Sequence, residues 1–433
     1  MSEFVRFIAL RYLLQSHKKG ALSFISLISV LGIAIGVATL ISVMSVMDGI
    51  IARTEETVLR SSSHANVYKL VGSFDNPYEV IEKVRKIPGV TAASPVVYSE
   101  ALLMSGTKVS SAVVNGIDPE LYPGICDFSG IMRSGSYDCF ADPEKCSEKL
   151  DRSGGQLKAV NDFLDEEYEL HPVLLGSDLA EKLNAKVGTA LSVVASTGRV
   201  SIDGDSAPAS ENFTVVGIFE TGMYDNDSRA AFMRLRDVRG LIQTGDNVSF
   251  VSTRIENPGK IGDMRAVMIE ALGGFPFSVQ DWRDLHKTTF RFYDMQKTIM
   301  FIVLIFIVLV ASFGIISTLI MLVIGKTREV SILRSLGAKK GVIVGIFMLD
   351  GTIIGVFGNI LGAVLSVLMC FVLQKIEFPL SKEIYSFSTM PVEMSVSSFA
   401  GVMLSTFLIS VAVTLYPSLR AAGITPVEGL AHE

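Results

Sequence analysis

The side chains that could perform catalysis or hold a metal are scattered along this 433-residue sequence. Zinc motifs place their ligands at a short characteristic spacing, and neither HExxH nor a paired CxxC occurs. A GxSxG nucleophile elbow is also absent, and the adjacent acids Glu166 and Glu167 are typical of a solvated surface. The histidines and cysteines are His17, His64, His171, His286, His432, Cys126, Cys139, Cys146 and Cys370. We therefore expect a protein that is not an enzyme, with no catalytic residue, no metal and no bound cofactor.

One stretch resembles a phosphate-binding loop without meeting its requirements. Gly325-Lys326-Thr327 matches the end of a P-loop, but the position of its first glycine is occupied by Ile320. A P-loop also joins a strand to a helix, whereas this stretch follows a long apolar run. ATP and Mg²⁺ are therefore not expected to bind this chain.

Residues 325–341 form a short basic stretch between two apolar runs. Val330, Leu333 and Leu336 recur at roughly helical spacing, with Arg328 and Arg334 between them. One interpretation is a basic loop beside the membrane that obeys the positive-inside rule. The other is an amphipathic helix that docks in a groove of a cytoplasmic partner. The pattern alone leaves both open.

Four apolar runs predict four transmembrane helices. The sequence is 49% hydrophobic with a mean hydropathy of +0.45, which is rare for a water-soluble chain of this length. The first run is too long for a signal peptide, so we expect an uncleaved anchor. The amphipathic residues 1–20 before it fit an interfacial helix. The predicted spans are residues 21–48, 298–324, 342–373 and 396–416.

The third span contains two GxxxG pairs and one acid. The pairs Gly351/Gly355 and Gly358/Gly362 either permit close helix contact or reflect the general enrichment of glycine in membrane helices. An acid inside a membrane helix, here Asp350, is a functional candidate by default. Its position near the basic stretch fits a structural role equally well.

Flanking lysines and arginines predict the orientation of the spans. The N-terminal flank and residues 325–341 are basic, whereas residues 374–395 carry more acids than bases. We therefore expect both termini, including the tail 417–433, in the cytoplasm. Residues 49–297 and 374–395 would then lie on the outer side.

The large outer segment, residues 49–297, has the pattern of an α+β domain. Strand–helix–strand patterns at both of its ends predict one subdomain split around an inserted second one. The predicted strands are residues 64–71, 90–104, 108–117, 190–195, 212–219, 250–255 and 277–280. The predicted helices are residues 76–87, 174–183, 261–272 and 281–297.

Two polar segments interrupt that domain. Residues 124–169 are acidic and predict a partly disordered surface insertion. This insertion holds Cys126, Cys139 and Cys146. In an oxidising compartment Cys139 and Cys146 could close a small ring, although the sequence leaves the other pairings open. Residues 196–211 predict the tip of a hairpin.

Both the order of segments and several motifs resemble the LolC/LolE family of lipoprotein-releasing ABC transporter permeases, within the MacB/FtsX-type superfamily. The order is one span, a large outer domain, three spans and a short tail. The matching motifs are residues 24–37, 45–49, 326–338, 414–422 and 425–430. The resemblance covers nearly the whole chain, and the insertion 124–169 departs from the family pattern.

The resemblance implies a fold and a mechanism. The fold is an α-helical membrane protein with four transmembrane helices and a large MacB-like α+β periplasmic domain, in which a porter-like subdomain holds an inserted second one. Two permeases, as copies or paralogues, and two LolD-like ATPases that bind ATP and Mg²⁺ would extract lipoproteins from the bacterial inner membrane. A LolA-like periplasmic carrier would receive them, and no nucleic acid takes part.

The resemblance also implies three sites. A cytoplasmic helix would couple the chain to the ATPase, and a hairpin at residues 195–212 would hook the carrier. A cavity between the first and second spans of the two permeases would take the acyl chains. The coupling residues are Arg328, Glu329, Val330, Leu333, Arg334, Leu336 and Gly337. The cavity residues are Val43, Met44, Met47, Ile299, Ile302 and Phe306. The hook residues are Arg199, Val200, Ile202 and Pro208.

Two alternatives remain within the same superfamily. One is a MacB-like exporter or mechanotransmission permease, although such chains usually carry an N-terminal ATPase, for which this sequence has no motif. The other is an FtsX-like regulator of cell-wall hydrolases, which moves no substrate and has a smaller outer domain.

Overall fold

The computed structural model describes residues 20–72, 74, 76–143, 170–196, 208–376 and 390–424, with side chains described from residue 27 onward. The chain divides into two compact units. The helical unit comprises Met1–Arg53, Thr289–Phe378 and Ser388–Glu433, and the sheet unit comprises Thr54–Thr288 and Pro379–Phe387, each over its described residues.

Twelve α-helices lie in the described part of the chain. They are α1 (Gly20–Ser61), α2 (Pro77–Arg85), α3 (Tyr137–Ala141), α4 (Ser177–Leu183), α5 (Tyr224–Asp227), α6 (Leu235–Ile242), α7 (Ile261–Ala271), α8 (Trp282–Leu285), α9 (Lys287–Gly325), α10 (Thr327–Ser335), α11 (Lys340–Lys375) and α12 (Val396–Gly423). Four of these, α1, α9, α11 and α12, are long and apolar enough to cross a membrane. The predicted spans are therefore confirmed as helices, each extending beyond its predicted limits.

The described strands form one ten-stranded sheet. They are β1 (Ala65–Lys69), β2 (Val90–Ser105), β3 (Lys108–Ile117), β4 (Met132–Gly135), β5 (Pro172–Gly176), β6 (Ala190–Ser196), β7 (Pro208–Phe219), β8 (Ala230–Arg234), β9 (Phe250–Ile255) and β10 (Phe277–Asp281). The strand order is β10-β1-β9-β2-β3-β8-β5-β7-β4, and β6 pairs with both β2 and β7. The α+β prediction is confirmed. The division into a split and an inserted subdomain stays a prediction, because the sheet is continuous across both parts.

Local chemistry explains several boundaries. The Asn76 side chain caps α2 by accepting a hydrogen bond from the Glu79 amide, and Pro77 occupies the first turn. The prediction of a helix over residues 174–183 is wrong at its start, because Pro172–Gly176 forms the fully buried strand β5. A short apolar run fits a buried strand and a buried helix equally well, so periodicity could not separate them. The strand β8 and the helix α6 were not predicted.

The segment predicted as an acidic surface insertion begins as part of the core. Phe128 and Phe140 are buried in a cluster with Tyr122, Phe219 and Phe232. The Phe128 ring lies 5.3 Å from that of Phe232 in an edge-on arrangement, which is a favourable geometry for aromatic pairs. The surface prediction is therefore wrong for the buried residues of this segment, which are Ile125, Cys126, Phe128, Cys139 and Phe140. Residues 144–169 lie outside the described residues.

The cysteines of the described residues are in two states. Cys126 and Cys370 are free and buried, whereas Cys139 is disulfide-bonded. Cys146 lies outside the described residues, so its predicted pairing with Cys139 stays a prediction.

Both GxxxG pairs of α11 lie in helix contacts. A Cβ atom on Gly351 would come within 2.3 Å of Thr414 Cγ2, and one on Gly355 within 2.7 Å of Ser410, both on α12. On Gly358 and Gly362 it would lie 2.8 Å from Ile33 and 2.7 Å from Val37, both on α1. Each pair therefore allows one neighbouring helix to approach closely, which decides the open alternative in favour of packing.

Candidate functional site

The basic stretch between the second and third long helices folds as the nine-residue helix α10. Gly337 ends it with φ = +94°, a conformation that a residue without Cβ adopts readily. Its amide donates to the carbonyl of Arg334, and the Ala338 amide donates to that of Leu333. This pair of bonds is a Schellman cap, so Gly337 fixes the point at which the chain turns into α11.

Two of the predicted docking anchors face the chain itself. Val330 is 1% exposed and packs with Leu322, Ile343 and Phe347, and Leu333 is half-buried against the same cluster. Arg334 donates to the backbone carbonyls of Ala422 and Ile424. The expectation that Val330 and Leu333 present an apolar face to a partner is therefore corrected, because their apolar surface already packs against α9, α11 and the end of α12.

A different face of α10 is exposed. Leu336 is 81% exposed and Ile332 45% exposed. Arg328 and Glu329 are exposed beside them, and Lys326 pairs with Glu329 at 2.5 Å. Ile332 was missed because it lies off the predicted apolar stripe. The sequence did contain a signal, because Ile332 is an apolar residue on the polar side of an amphipathic helix.

The motif at residues 45–49 lies within α1 and contacts two other parts of the helical unit. The Ser45 carbonyl accepts a hydrogen bond from the Glu393 amide, and Lys297 pairs with Asp48 at 2.5 Å. A Cβ on Gly49 would lie 2.3 Å from the carbonyl oxygen of Pro391. The contacts of Asp48 and Gly49 therefore depend on the residue type, whereas that of Ser45 is made by its backbone.

The predicted acyl-chain cavity is brought together only in part. Met44 and Met47 are buried at 6% and 4% exposure, and Met44 packs in the core of the helical unit. They are therefore interior packing residues rather than lining, and Val43 is half-buried. On α9, by contrast, Ile299, Ile302 and Phe306 are exposed.

That exposed surface on α9 continues along the helix. Ile299, Ile302, Phe306, Val310 and Phe313 are all about half exposed or more and recur every three or four residues. This spacing gives one continuous apolar stripe. A stripe of this kind needs lipid or another apolar surface against it.

The predicted carrier hook is described only at its base. β6 and β7 pair antiparallel from Ala190 opposite Thr214 to Ser196 opposite Pro208, so the hairpin arms are present. Pro208 is exposed, whereas Arg199, Val200 and Ile202 lie outside the described residues.

One cluster in the sheet unit has the composition of a catalytic site. Asp237 lies 2.7 Å from Arg234 Nε and 3.3 Å from His171 Nδ1. Burial raises the pKa of Asp237, but hydrogen bonds from His171 and Arg234 outweigh it and leave that pKa below its usual value. His171 Nε2 faces Glu211 at 3.7 Å instead of a hydroxyl or thiol nucleophile. The cluster is therefore a buried ion-pair network that ties α6 to β7 and β8. In the described part of the chain no group of three or more potential metal ligands occurs.

Two family profiles match consecutive parts of the chain. Residues 26–270 match the MacB-like periplasmic core domain, and residues 301–426 match the FtsX-like permease C-terminal. The first match alone covers more than half of the sequence, and together they follow the order of segments described above.

Full-length relatives carry the same arrangement. The chain is 28% identical over 435 residues to the lipoprotein-releasing system transmembrane protein LolC of Neisseria meningitidis serogroup B, covering 98% of both chains. It is 25% identical over 442 residues to LolE of Haemophilus influenzae, again covering 98% of both. The periplasmic region of MacB from Actinobacillus actinomycetemcomitans aligns with 54% of this chain and 94% of that structure, at 12% identity and a TM-score of 0.30.

Proposed function

The chain belongs to the LolC/LolE family of the MacB/FtsX-type superfamily, and we propose that it is the permease of an ABC transporter that extracts lipoproteins from the bacterial inner membrane and passes them to a periplasmic carrier. The observation that carries this proposal is the similarity to LolC and LolE over 98% of both chains. The sheet unit would lie in the periplasm and both termini in the cytoplasm.

The energetics of extraction require a partner. Each CH₂ group of an acyl chain left in the bilayer contributes roughly 0.8 kcal/mol, so removing several chains costs tens of kcal/mol unless an apolar surface receives them. The P-loop-like stretch of this chain forms the end of α9 and the start of α10, which is not a phosphate cradle. A separate ATPase, paired with this permease and a second permease that is a copy or a paralogue, would supply the work.

The exposed face of α10 is the surface we propose for the ATPase. Leu336 and Ile332 would insert into a groove of the ATPase, and Arg328 and Glu329 would pair with its rim. Leu333→Asp is unsuitable as a test, because Leu333 also packs inside the helical unit. Leu336→Asp is the sharper change, since Leu336 is 81% exposed and a carboxylate in an apolar groove is costly.

The docking test is a pull-down of untagged ATPase with the detergent-solubilised permease. Leu336→Asp should lower recovery about tenfold or more, the factor expected when about 1.4 kcal/mol of binding is lost. Val396→Asp is the matched control, because Val396 is 84% exposed at the first turn of α12. Equal recovery with both variants would contradict docking through this face.

The acyl chains would follow the exposed stripe of α9. A photocrosslinker at Ile302 should capture lipoprotein in membranes without ATP, whereas one at Leu404, which is 60% exposed on α12, should capture only phospholipid. Capture of lipoprotein at position 404 and not at 302 would show that the acyl chains do not follow α9.

Reconstitution tests the function itself. Proteoliposomes with this permease, its partner ATPase, any partner permease and a lipoprotein should release the lipoprotein to an added carrier when ATP is supplied. Export of a soluble substrate instead would favour the MacB-like alternative. ATP hydrolysis without movement of any substrate would favour the FtsX-like one.

A further inference from the structure

A cavity of about 330 Å³ opens on one face of the sheet in the sheet unit. Its floor crosses neighbouring strands, because Tyr98 on β2 lies opposite Asn115 on β3, and Asn115 lies opposite Phe232 on β8. Paired residues of adjacent strands project to the same face. At the other end of the floor, the rings of Tyr68 and Phe250 are 5.2 Å apart.

The wall over this floor is polar. Arg229 lines the cavity and is exposed, with its guanidinium 4.0 Å from Glu100. His286 also lines it, and burial lowers the pKa of its imidazole, which favours the neutral form. Asn66 is held by the hydroxyls of Ser63 and Ser252, which donate to its side-chain oxygen at 2.7 and 3.0 Å. The cavity therefore combines an aromatic floor with fixed polar groups, the composition of a ligand site.

The cavity adjoins the ends of two long helices in sequence and an exposed apolar surface of the sheet. Ser61, the last residue of α1, and His286, the residue before α9, both line the cavity. Beyond Tyr98 the same face of the β2–β3 hairpin exposes Leu102, Met104 and Val109. An extended chain lying in the cavity could thus continue onto an exposed apolar surface of the same sheet face.

We propose that this cavity holds the short peptide that follows the lipid-bearing residue of the substrate lipoprotein. The inference rests on the proposed function. Acyl chains in the cavity would displace water from the side chains of Asn115 and Arg229 and offer no hydrogen bond in its place, which is costly. A peptide offers a donor and an acceptor at nearly every residue, and aromatic rings pack against side chains of many shapes. The volume, at the lower end of the range of about 300–1,000 Å³ for ligand pockets, admits only a few residues.

Site-specific photocrosslinking in the assembled transporter tests this assignment. A benzophenone amino acid would replace Tyr98, which lines the cavity and is 45% exposed, or Tyr78, which is 48% exposed on α2 and does not line it. The probe is a triacylated lipoprotein in membranes without nucleotide. Adducts at position 98, with none at 78, should map by mass spectrometry to residues immediately after the lipidated cysteine. Asn115→Leu should lower their yield about tenfold by removing a hydrogen bond to the peptide.

The other outcomes overturn the inference in separable ways. Adducts at 98 that map to acyl chains would assign the cavity to lipid. No adduct at 98, together with capture by the crosslinker at Ile302, would reject the cavity and leave the proposed function standing. If neither position captures lipoprotein, the proposed function fails and the inference with it.

Discussion

The sheet unit and the helical unit are packed with different kinds of side chain. The centre of the sheet unit is a cluster of large rings that includes Phe128, Phe140, Phe219 and Phe232. The contacts of α11 with α1 and α12 are made at glycines that face valine, isoleucine, serine and threonine. In water the burial of apolar area stabilises a core. Between helices in lipid that gain is small, so close approach and dispersion must hold the helices together.

The two units also differ in the partners of their buried acids. Asp237 in the sheet unit contacts Arg234 and His171. Both carboxylate oxygens of Asp350 in the helical unit lack a hydrogen-bond partner among the described residues, and the side chain is 1% exposed. The sheet unit therefore depends on its polar network, whereas the helical unit contains a polar group that its packing does not use.

The largest effect is expected from emptying the aromatic cluster. Phe140→Ala should lower the free energy of unfolding of the sheet unit by about 3–5 kcal/mol, because it removes a fully buried ring. Trp282, the only tryptophan of the sequence, is buried in this unit and reports its unfolding by fluorescence in denaturant. Tyr78→Ala on the exposed side of α2 is the control. Equal losses of stability in both variants would contradict the burial of Phe140 in the core of the sheet unit.

Replacing each of the two buried acids by its isosteric amide should destabilise the sheet unit much more than the helical unit. Asp237→Asn should cost about 3 kcal/mol, because it leaves the buried Arg234 guanidinium without a counter-charge. Asp350→Asn should change stability by less than about 1 kcal/mol, since no hydrogen bond to a described residue is lost. Unfolding of the first is followed at Trp282, and that of the second by the fraction that stays monodisperse after heating. A large loss for Asp350→Asn would show that its carboxylate does hold the helices.

Overfilling a glycine contact should cost somewhat less. Gly362→Val places side-chain atoms against Val37 and the Ala34 carbonyl on α1 and should destabilise the helical unit by about 1–3 kcal/mol. Gly401→Val on α12 meets no atom within 4 Å and should be nearly neutral. Monodispersity after heating compares the two. If both variants behave alike, close packing is not what holds α11 to α1.

The smallest effect concerns pH. Burial lowers the pKa of His64, and its ring lies between the Leu59 carbonyl and the Ile255 amide, at 3.1 and 3.2 Å. Because the unfolded chain takes up the proton first, this contribution to stability is complete above about pH 6.5 and falls as the pH is lowered, by at most about 1.4 kcal/mol per unit. The difference in stability between wild type and His64→Gln, read at Trp282, should therefore shrink between pH 7.5 and 5.5. A difference that is constant with pH would show that His64 does not titrate on unfolding.

Periodicity predicted the parts of the fold that repeat. The four long helices, the strand over residues 108–117 and the capped helix after Asn76 follow from hydropathy and capping chemistry alone. The aromatic core at residues 124–141 could not be predicted in this way, because this segment buries a few rings within a polar composition. Long-range contact decides burial there, and a local window does not contain it.

The existence of a helix was easier to predict than the surface that each of its side chains contacts. Val330, Leu333 and Leu336 share a spacing, yet Val330 and Leu333 pack in the core of the helical unit, whereas Leu336 is 81% exposed. An amphipathic pattern predicts that an apolar face exists and does not say whether its own chain or a partner covers it. The same limit applied to Met44, which lies on the interior side of α1, and to Ile302, which lies on the exposed side of α9.

The position of Cys126 among the aromatic rings has a consequence for its reactivity. Burial raises the pKa of this thiol to about 12, so almost no thiolate exists at neutral pH, and thiolate is the form that maleimides and peroxides attack. Cys370 is 1% exposed and equally inaccessible to reagents. Cys126 and Cys370 can therefore stay in place while a cysteine introduced at Leu336 or Tyr98 is labelled with a fluorophore or spin probe. The aromatic core then needs no substitution at Cys126.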